Sequence, residues 1–320
     1  MEVLEQWANI HDALIEKLQD DKTYQFINVL ARSDITATVF TGLIGLHANF
    51  NNTAGHAQSI ISFSGLGKLD MILNETKTKV LKCISNLTNY IFDEMTVEEA
   101  EMAPLSSKLS LLLPHLIDSL AVFAVDPNMS SLLLNESFSE LIVSLLDVLI
   151  IACNQQKFQE VFIQNKGKLL VSICLNFIKT SEVEADLIVE DAQEFVNLAI
   201  DSCDKQKSET VKTHACKLFE NLCDNIDGST TFAAIFCCNA INKVYGKQIT
   251  EEAFWDMESD PFLANTEPEF IVESCLLALT VMSYILPERS DLTVLFTNVM
   301  QININEMLEH KHIQPESTHL

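Results

Sequence analysis

Apolar residues at the spacing of one helix face recur along the chain, and strand-like alternation over four or more residues is essentially absent. The pattern is clearest after Ser208, where apolar residues follow one another at intervals of three and four: Val211, Ala215, Leu218, Phe219 and Leu222. Only 8 glycines and 7 prolines occur in 320 residues, too few for the frequent turns of a β-sandwich or barrel. The sequence therefore predicts an all-α protein.

The predicted helices come in consecutive pairs. The clearest pairs are near residues 209–226 and 231–246 and near residues 269–286 and 291–308. Upstream, we expect helices at 106–125, 131–153, 156–164 and 168–179, with a kink or a helix start at Pro114. Because these helices carry apolar residues on more than one side, we expect them to stack on their neighbours. The prediction is a single helical-repeat array over residues 1–320, an α-solenoid of HEAT or armadillo type.

Acidic connectors interrupt the array at residues 93–103 and 181–194. They separate three sub-segments, 1–92, 104–180 and 195–308. A further acidic stretch covers residues 251–260. The chain has 20 lysines and arginines against 45 aspartates and glutamates, a formal net charge of −25. This balance leaves no basic surface to neutralise phosphates, so we expect no nucleic-acid partner and no attraction to anionic membranes. A protein partner with basic segments fits the charge.

The second connector supplies the candidate partner-binding residues, which are carboxylates and one aromatic side chain: Glu182, Glu184, Asp186, Glu190, Asp191, Glu194 and Phe195. Carboxylates gathered at one rim of a superhelix attract lysine- and arginine-rich segments and bind them by charge-assisted hydrogen bonds. The alternative is that the charges form only a solvated surface. Both hypotheses stay open from the sequence.

No motif predicts catalysis, a cofactor or a metal site. His214 lies near Cys216, but neighbouring residues on a helix diverge, so the two cannot act as a base and a nucleophile. His310 and His312 point apart in the same way, and no Cys or carboxylate set completes a metal site. We expect a non-enzymatic protein without cofactor.

The nine cysteines include no CxxC pair, which indicates reduced thiols in a reducing compartment. The most apolar run, residues 141–153, is too short to span a bilayer and contains Asp147. The N-terminus has neither a basic region nor the apolar region of a signal peptide. We expect a cytoplasmic or nuclear protein with no membrane insertion.

The segment EDAQEFV, residues 190–196, has the pattern Glu-Asp-x-x-Glu-aromatic-aliphatic, followed by a short polar stretch and a helix. With its neighbours over residues 140–290, it resembles the middle of importin-β superfamily receptors, in the branch of the importin-α re-exporter. The resemblance implies a HEAT-repeat receptor that holds a protein cargo on its concave face and responds to the Ran GTPase in its GTP-bound form.

Three functions follow, in order of preference. The first is a protein-binding helical module, a karyopherin-like nuclear transport receptor or a fragment of one. The second is an armadillo-type cytosolic adaptor that assembles a protein complex without transport. The third is a hydrolase whose Cys or His nucleophile or base the sequence does not identify.

Overall fold

The computed structural model describes residues 99–126, 129, 133, 136–180, 210–247, 257, 260–283 and 290–310. All regular elements in these residues are helical and none of them forms a strand, which confirms the all-α prediction. The helices are α1 (Glu99–Ala124), α2 (Glu136–Cys153), α3 (Gln156–Ile178), α4 (Val211–Asn225), α5 (Ser229–Val244), α6 (Pro261–Asn265), α7 (Pro268–Val281) and α8 (Ser290–His310). The predicted sub-segment 1–92 lies outside the described residues.

α1 starts earlier than the sequence predicts. It begins at Glu99, so the last five residues of the predicted connector 93–103 are helical. Glutamate, alanine and methionine dominate this stretch, and all three are good helix formers. The helix also continues through Pro114 and does not start there. Pro114 has no N–H group to donate to the carbonyl of Ser110, which is a partly exposed residue.

α3 is one helix of 23 residues where the sequence predicts two, at 156–164 and 168–179. It begins with a 3₁₀ turn, continues as an α-helix to Gly167, widens into a π-helix over Lys168–Leu175 and ends as an α-helical turn. Gly167, in the expected gap at residues 165–167, and Lys168, the next residue, both have right-handed helical dihedral angles. The predicted break is wrong because burial of the surrounding residues outweighs the small helix penalty of one glycine.

Among the described helices, α3 is long and apolar enough to cross a membrane by length and composition alone. The sequence singled out residues 141–153 instead. In the most apolar 18-residue stretch of α3, 61% of the residues are buried inside the structure. Because α3 contacts α1, α4, α6 and α7, it has the surroundings of a core helix.

Several helices pack against the helix two places further along the chain. α1 packs on α3, α2 packs chiefly on α4, and α5 packs on α7. α4 also contacts α3, its neighbour across residues 181–209. A continuous cluster of buried apolar side chains extends from Leu109 in α1 to Val299 in α8. The helices before and after residues 181–209 therefore share one core.

The turn between α4 and α5 contains Gly228 in the left-handed region, with φ of 75°. A Cβ at this position would lie 3.3 Å from Nζ of Lys166, the mobile end of a flexible side chain. We expect Gly228→Ala to lower the free energy of unfolding by about 1 kcal/mol, because a Cβ disfavours left-handed backbone.

Gly246→Ala is the matched control for this substitution. Gly246 has φ of 62°, and no atom lies within 4 Å of the position that a Cβ would occupy there, so the backbone penalty is the same and no contact adds to it. Urea unfolding should show that the free energy of unfolding falls by the same amount in both variants. A loss for Gly228→Ala that is larger by about 1 kcal/mol or more would show that Lys166 cannot move away.

Candidate functional site

The predicted partner-binding residues fall in the segment 181–209, which lies outside the described residues: Glu182, Glu184, Asp186, Glu190, Asp191, Glu194 and Phe195. The structure does describe the residues on either side of this segment, Thr180 after α3 and Thr210 before α4. Thr210 caps α4, since its hydroxyl oxygen accepts a hydrogen bond from the backbone N–H of Thr213 at 3.2 Å. The points where the acidic segment leaves and rejoins the helices are therefore defined.

Three polar side chains meet at this point, and we call Thr180, Lys212 and Glu273 the clasp. The backbone N–H of Thr180 donates to Oε2 of Glu273 at 2.9 Å, and the Thr180 hydroxyl donates to Oε1 at 2.5 Å. Nζ of Lys212 lies 3.5 Å from the Thr180 hydroxyl and 3.8 Å from Oε1 of Glu273. The clasp joins the end of α3 to α4 and α7, and the sequence analysis did not predict it.

A cleft of about 400 Å³ lies beside the clasp, where the ends of α1 and α3 meet α6 and the start of α7. Its charged side chains are Asp126, Lys179 and Glu267, and Nζ of Lys179 donates to Oδ1 of Asn176 at 3.4 Å. The remaining lining residues are small, apolar or neutral polar: Ala124, Val125, Met129, Thr180, Pro261, Asn265, Thr266 and Phe270. The cleft thus combines two carboxylates and one ammonium group with an apolar wall.

The second acidic stretch, 251–260, ends at the same cleft. Its last residue, Asp260, is buried and caps α6, because its carboxylate accepts hydrogen bonds from the N–H groups of Phe262 at 2.9 Å and Leu263 at 3.3 Å. Asp260 therefore has a structural role and does not belong to a solvated charge run. The next residue, Pro261, is the first residue of α6 and lines the cleft.

His214 on α4 is buried, and both of its ring nitrogens face oxygen atoms. Nε2 lies 3.2 Å from Oδ1 of Asp147 on α2, and Nδ1 lies 3.0 Å from the Thr210 carbonyl oxygen. Burial alone would lower the pKa of His214, but hydrogen bonds to Asp147 and Thr210, with the negative charge of Asp147, raise it above 6.5. Both ring nitrogens are thereby engaged away from Cys216, and the pair links α2 to α4.

The described cysteines are mostly buried, and burial is the main cause of raised thiol pKa values at several of them. The pKa of Cys153 rises to about 12 through burial and the nearby Asp224, and that of Cys238 rises to about 12 through burial and Cys237. The pKa values of Cys174 and Cys216 are raised as well, again chiefly by burial. The nucleophile is the thiolate, so a raised pKa lowers the reactive fraction of these thiols at neutral pH.

In the part of the chain that the structure describes, no group of three or more His, Cys, Asp or Glu residues could hold a metal ion. His310 is the last residue of α8, while His312 and His319 lie outside the described residues. Comparison of the chain with protein-family models, curated proteins and solved structures gives no match.

Proposed function

We propose that this chain is a non-catalytic, protein-binding helical module that holds a basic segment of a protein partner. One observation carries the proposal: both acidic stretches join the described helices at the same cleft. Thr180, which immediately precedes the stretch 181–194, lines the cleft, and so does Pro261, which immediately follows the stretch 251–260. Acidic segments far apart in the sequence are thereby attached around one concave site.

The chemistry of the cleft suits a lysine or arginine side chain. Such side chains combine an aliphatic stem, which packs on apolar surface, with a cationic end group. Met129 and Phe270 offer apolar contact, while Asp126 and Glu267 offer carboxylate oxygens for charge-assisted hydrogen bonds. The volume of about 400 Å³ falls within the range of ligand-binding clefts in proteins. Lys179 adds a positive charge to the cleft, beside Asn176. This charge favours a partner in which an acidic or polar side chain lies next to the basic segment.

The packing of the helices supports a solenoid of HEAT or armadillo type. Contacts between helices two places apart, as in α1 with α3 and α2 with α4, are those of stacked helix pairs. The resemblance of residues 190–196 to importin-β receptors favours a nuclear transport receptor or a fragment of one, acting in the cytoplasm and nucleus and responding to Ran. A cytosolic adaptor of armadillo type is the second candidate, since it uses the same helical surfaces without transport.

The cleft is tested by reversing its two carboxylates together, in the double variant Asp126→Lys with Glu267→Lys. We expect affinity for a fluorescent lysine- and arginine-rich peptide, measured by anisotropy, to fall about tenfold or more, because two attractive contacts become repulsive. The loss should shrink as salt is added, since screening weakens exposed charge interactions.

The control is the double variant Glu220→Lys with Asp227→Lys. Both side chains are exposed, neither lines the cleft, and the net charge of the protein changes by the same amount. If the two double variants lose equal affinity, only the overall charge attracts the peptide and the cleft is not the binding site. Retained helicity in both variants excludes unfolding as the cause.

Carrier and adaptor are distinguished by capturing partners from cell extract with and without GTP-locked Ran. Partners released by Ran-GTP indicate an import carrier, and partners gained with it indicate an export carrier. If the same partners are captured with and without Ran-GTP, the result contradicts the transport function and favours the adaptor. The same capture with Glu190, Asp191 and Glu194 changed to lysine shows whether the acidic connector takes part.

A further inference from the structure

The π-helix of α3 ends beside the cleft. It covers Lys168–Leu175, and Asn176, the residue that follows it, is buried and lines the cleft. We infer that the Asn176 side chain completes the hydrogen bonding of the π-helix and holds the Lys179 ammonium group in the cleft. The positions of these side chains are independent of the proposed function, whereas the effect of Lys179 on the choice of partner rests on it.

A π-helix leaves a carbonyl group open at its end. Its backbone hydrogen bonds run from residue i to residue i+5, so each bonded turn encloses one residue more than an α-helical turn. Where the pattern returns to α-helical spacing, two carbonyl groups compete for one N–H group, and one of them needs another donor. In α3 the return occurs at Asn176, the first residue of the α-helical turn Asn176–Ile178. A donor is therefore needed close to this residue.

Asn176 supplies that donor. Its Nδ2 donates a hydrogen bond to the carbonyl oxygen of Ser172 at 2.9 Å. From residue 169 to residue 178 every residue except Ser172 is buried, and the buried side chains other than Asn176 are aliphatic, aromatic or a thiol. Burying an amide in such surroundings is costly unless the amide makes hydrogen bonds, which indicates that the bond to Ser172 is the reason for an asparagine at this position.

The oxygen of the same amide faces the cleft. Oδ1 of Asn176 accepts a hydrogen bond from Nζ of Lys179 at 3.4 Å. Rotating the amide by 180° would place its oxygen against a carbonyl oxygen and its NH2 group against an ammonium group, so the two contacts together fix its orientation. The π-helix and the lysine of the cleft are thereby joined through one buried side chain.

The π-helix also sets the rotation of the residues that follow it. Successive residues of an α-helix are about 100° apart around its axis. If Lys168–Leu175 were α-helical with no residue removed, the residues after them would be displaced by about one position around the axis. Lys179 and Thr180 would then leave the wall of the cleft, and Thr180 would lose its two hydrogen bonds to Glu273. Removing one residue together with the change in spacing would leave both residues in place.

A lysine held in this way affects which partner the cleft accepts. A lysine side chain loses rotamer freedom when it forms a contact, and a side chain that is already held loses less. The Lys179 ammonium group is therefore ready to pair with an acidic side chain next to the basic residue that Asp126 and Glu267 attract. We expect the cleft to prefer such a basic and acidic pair over a basic residue without an acidic neighbour.

The first test combines Asn176→Leu with the deletion of Ser172 in the full chain. Leucine is similar in size to asparagine but donates no hydrogen bond, so Asn176→Leu alone should lower the melting temperature by about 3 °C. Deletion of Ser172 returns the turn to α-helical spacing and removes the open carbonyl group. In the deletion variant, Asn176→Leu should therefore no longer lower the melting temperature.

Deletion of Cys216 is the control, because Cys216 is partly exposed like Ser172 but lies in the regular α-helix α4. That deletion rotates the rest of α4 by about 100° and should abolish cooperative unfolding. Two outcomes would overturn the role of Asn176 in the π-helix. One is an equal loss from Asn176→Leu with and without Ser172, and the other is a Ser172 deletion that abolishes folding.

The second test measures the accessibility of the Lys179 amine without any partner. Reductive methylation of the native protein, followed by mass spectrometry, reports how quickly each lysine reacts. In the Ser172 deletion variant, adding Asn176→Leu should make Lys179 react about threefold faster, because one contact of its ammonium group is lost. Lys217, which is exposed on α4, should react at the same rate in both variants. Equal rates for Lys179 would show that Asn176 does not hold it.

The last test compares two fluorescent peptides of the same lysine- and arginine-rich composition, with a single glutamate either next to the central lysine or at the end. The parent protein should prefer the first peptide about threefold, and Asn176→Leu and Lys179→Met should each abolish the preference. An unchanged preference in Asn176→Leu would overturn the effect of Asn176 on the choice of partner. If neither peptide binds the parent protein, the proposed function is wrong, and the methylation rates alone decide whether Asn176 holds Lys179.

Discussion

Replacing Phe219 by alanine should lower the free energy of unfolding by about 3–5 kcal/mol. Phe219 is completely buried on α4, the helix that contacts α2, α3, α5 and α7. Truncation removes the apolar area of the ring from the core and leaves a cavity that the surrounding helices close only in part. Urea unfolding followed by circular dichroism measures the change.

The neighbouring substitution Glu220→Ala is the control, because Glu220 is exposed on the same helix. It should change stability by no more than about 0.5 kcal/mol. If Phe219→Ala lowers the free energy of unfolding no more than Glu220→Ala does, the apolar face of α4 does not pack as described. The helices before and after residues 181–209 would then not share one core.

Replacing Asp147 by asparagine should remove a pH-dependent part of the stability. The pKa of His214 is raised above 6.5 in the folded protein, so the pair with Asp147 contributes fully below the unfolded value of 6.5. The contribution is lost as the pH rises through the folded pKa, because the neutral imidazole can no longer donate from both nitrogens. An asparagine at 147 can donate to neutral His214, which leaves both nitrogens satisfied without a charge.

Because the Asp147 carboxylate is 39% exposed and partly screened by water, we expect Asp147→Asn to lower the free energy of unfolding by about 1–2 kcal/mol near pH 6 and by less near pH 9. The control is Asp118→Asn, which breaks the largely exposed pair with Lys168, where the two groups lie 2.6 Å apart. That variant should lower the free energy of unfolding only slightly, and without the same pH dependence. A penalty for Asp147→Asn that grows with pH would contradict the protonated state of His214.

Helix positions were largely predictable because periodicity is a local property. The interval of three and four residues from Val211 to Leu222 predicted α4, and the apolar positions of that pattern are buried. The local sequence predicted helix ends less well where packing between helices determines whether a helix continues. The sequence pattern predicted a gap between two helices at residues 165–167, yet the apolar residues that follow this gap are buried and the helix continues through it.

The polar links were not predictable, because periodicity does not encode which helices meet. Asp147 and His214 are 67 positions apart, and Thr180 and Glu273 are 93 positions apart. One signal was nevertheless present: Asp147 interrupts an apolar run, and a carboxylate on such a helix needs a partner. His214, on the apolar side of another helix, was the matching group. The cleft gave no comparable signal, since its lining comes from the ends of four helices.

The buried cysteines can be used to measure how often individual helices separate from the core in the folded protein. Cys174 on α3, Cys223 on α4 and Cys275 on α7 are all inaccessible to solvent or nearly so. An alkylating reagent reaches each one only when its helix separates from the core, so the labelling rate of each cysteine measures the frequency of that opening. Equal rates for the three would mean that these helices open as one cooperative unit, and unequal rates would rank them by local stability.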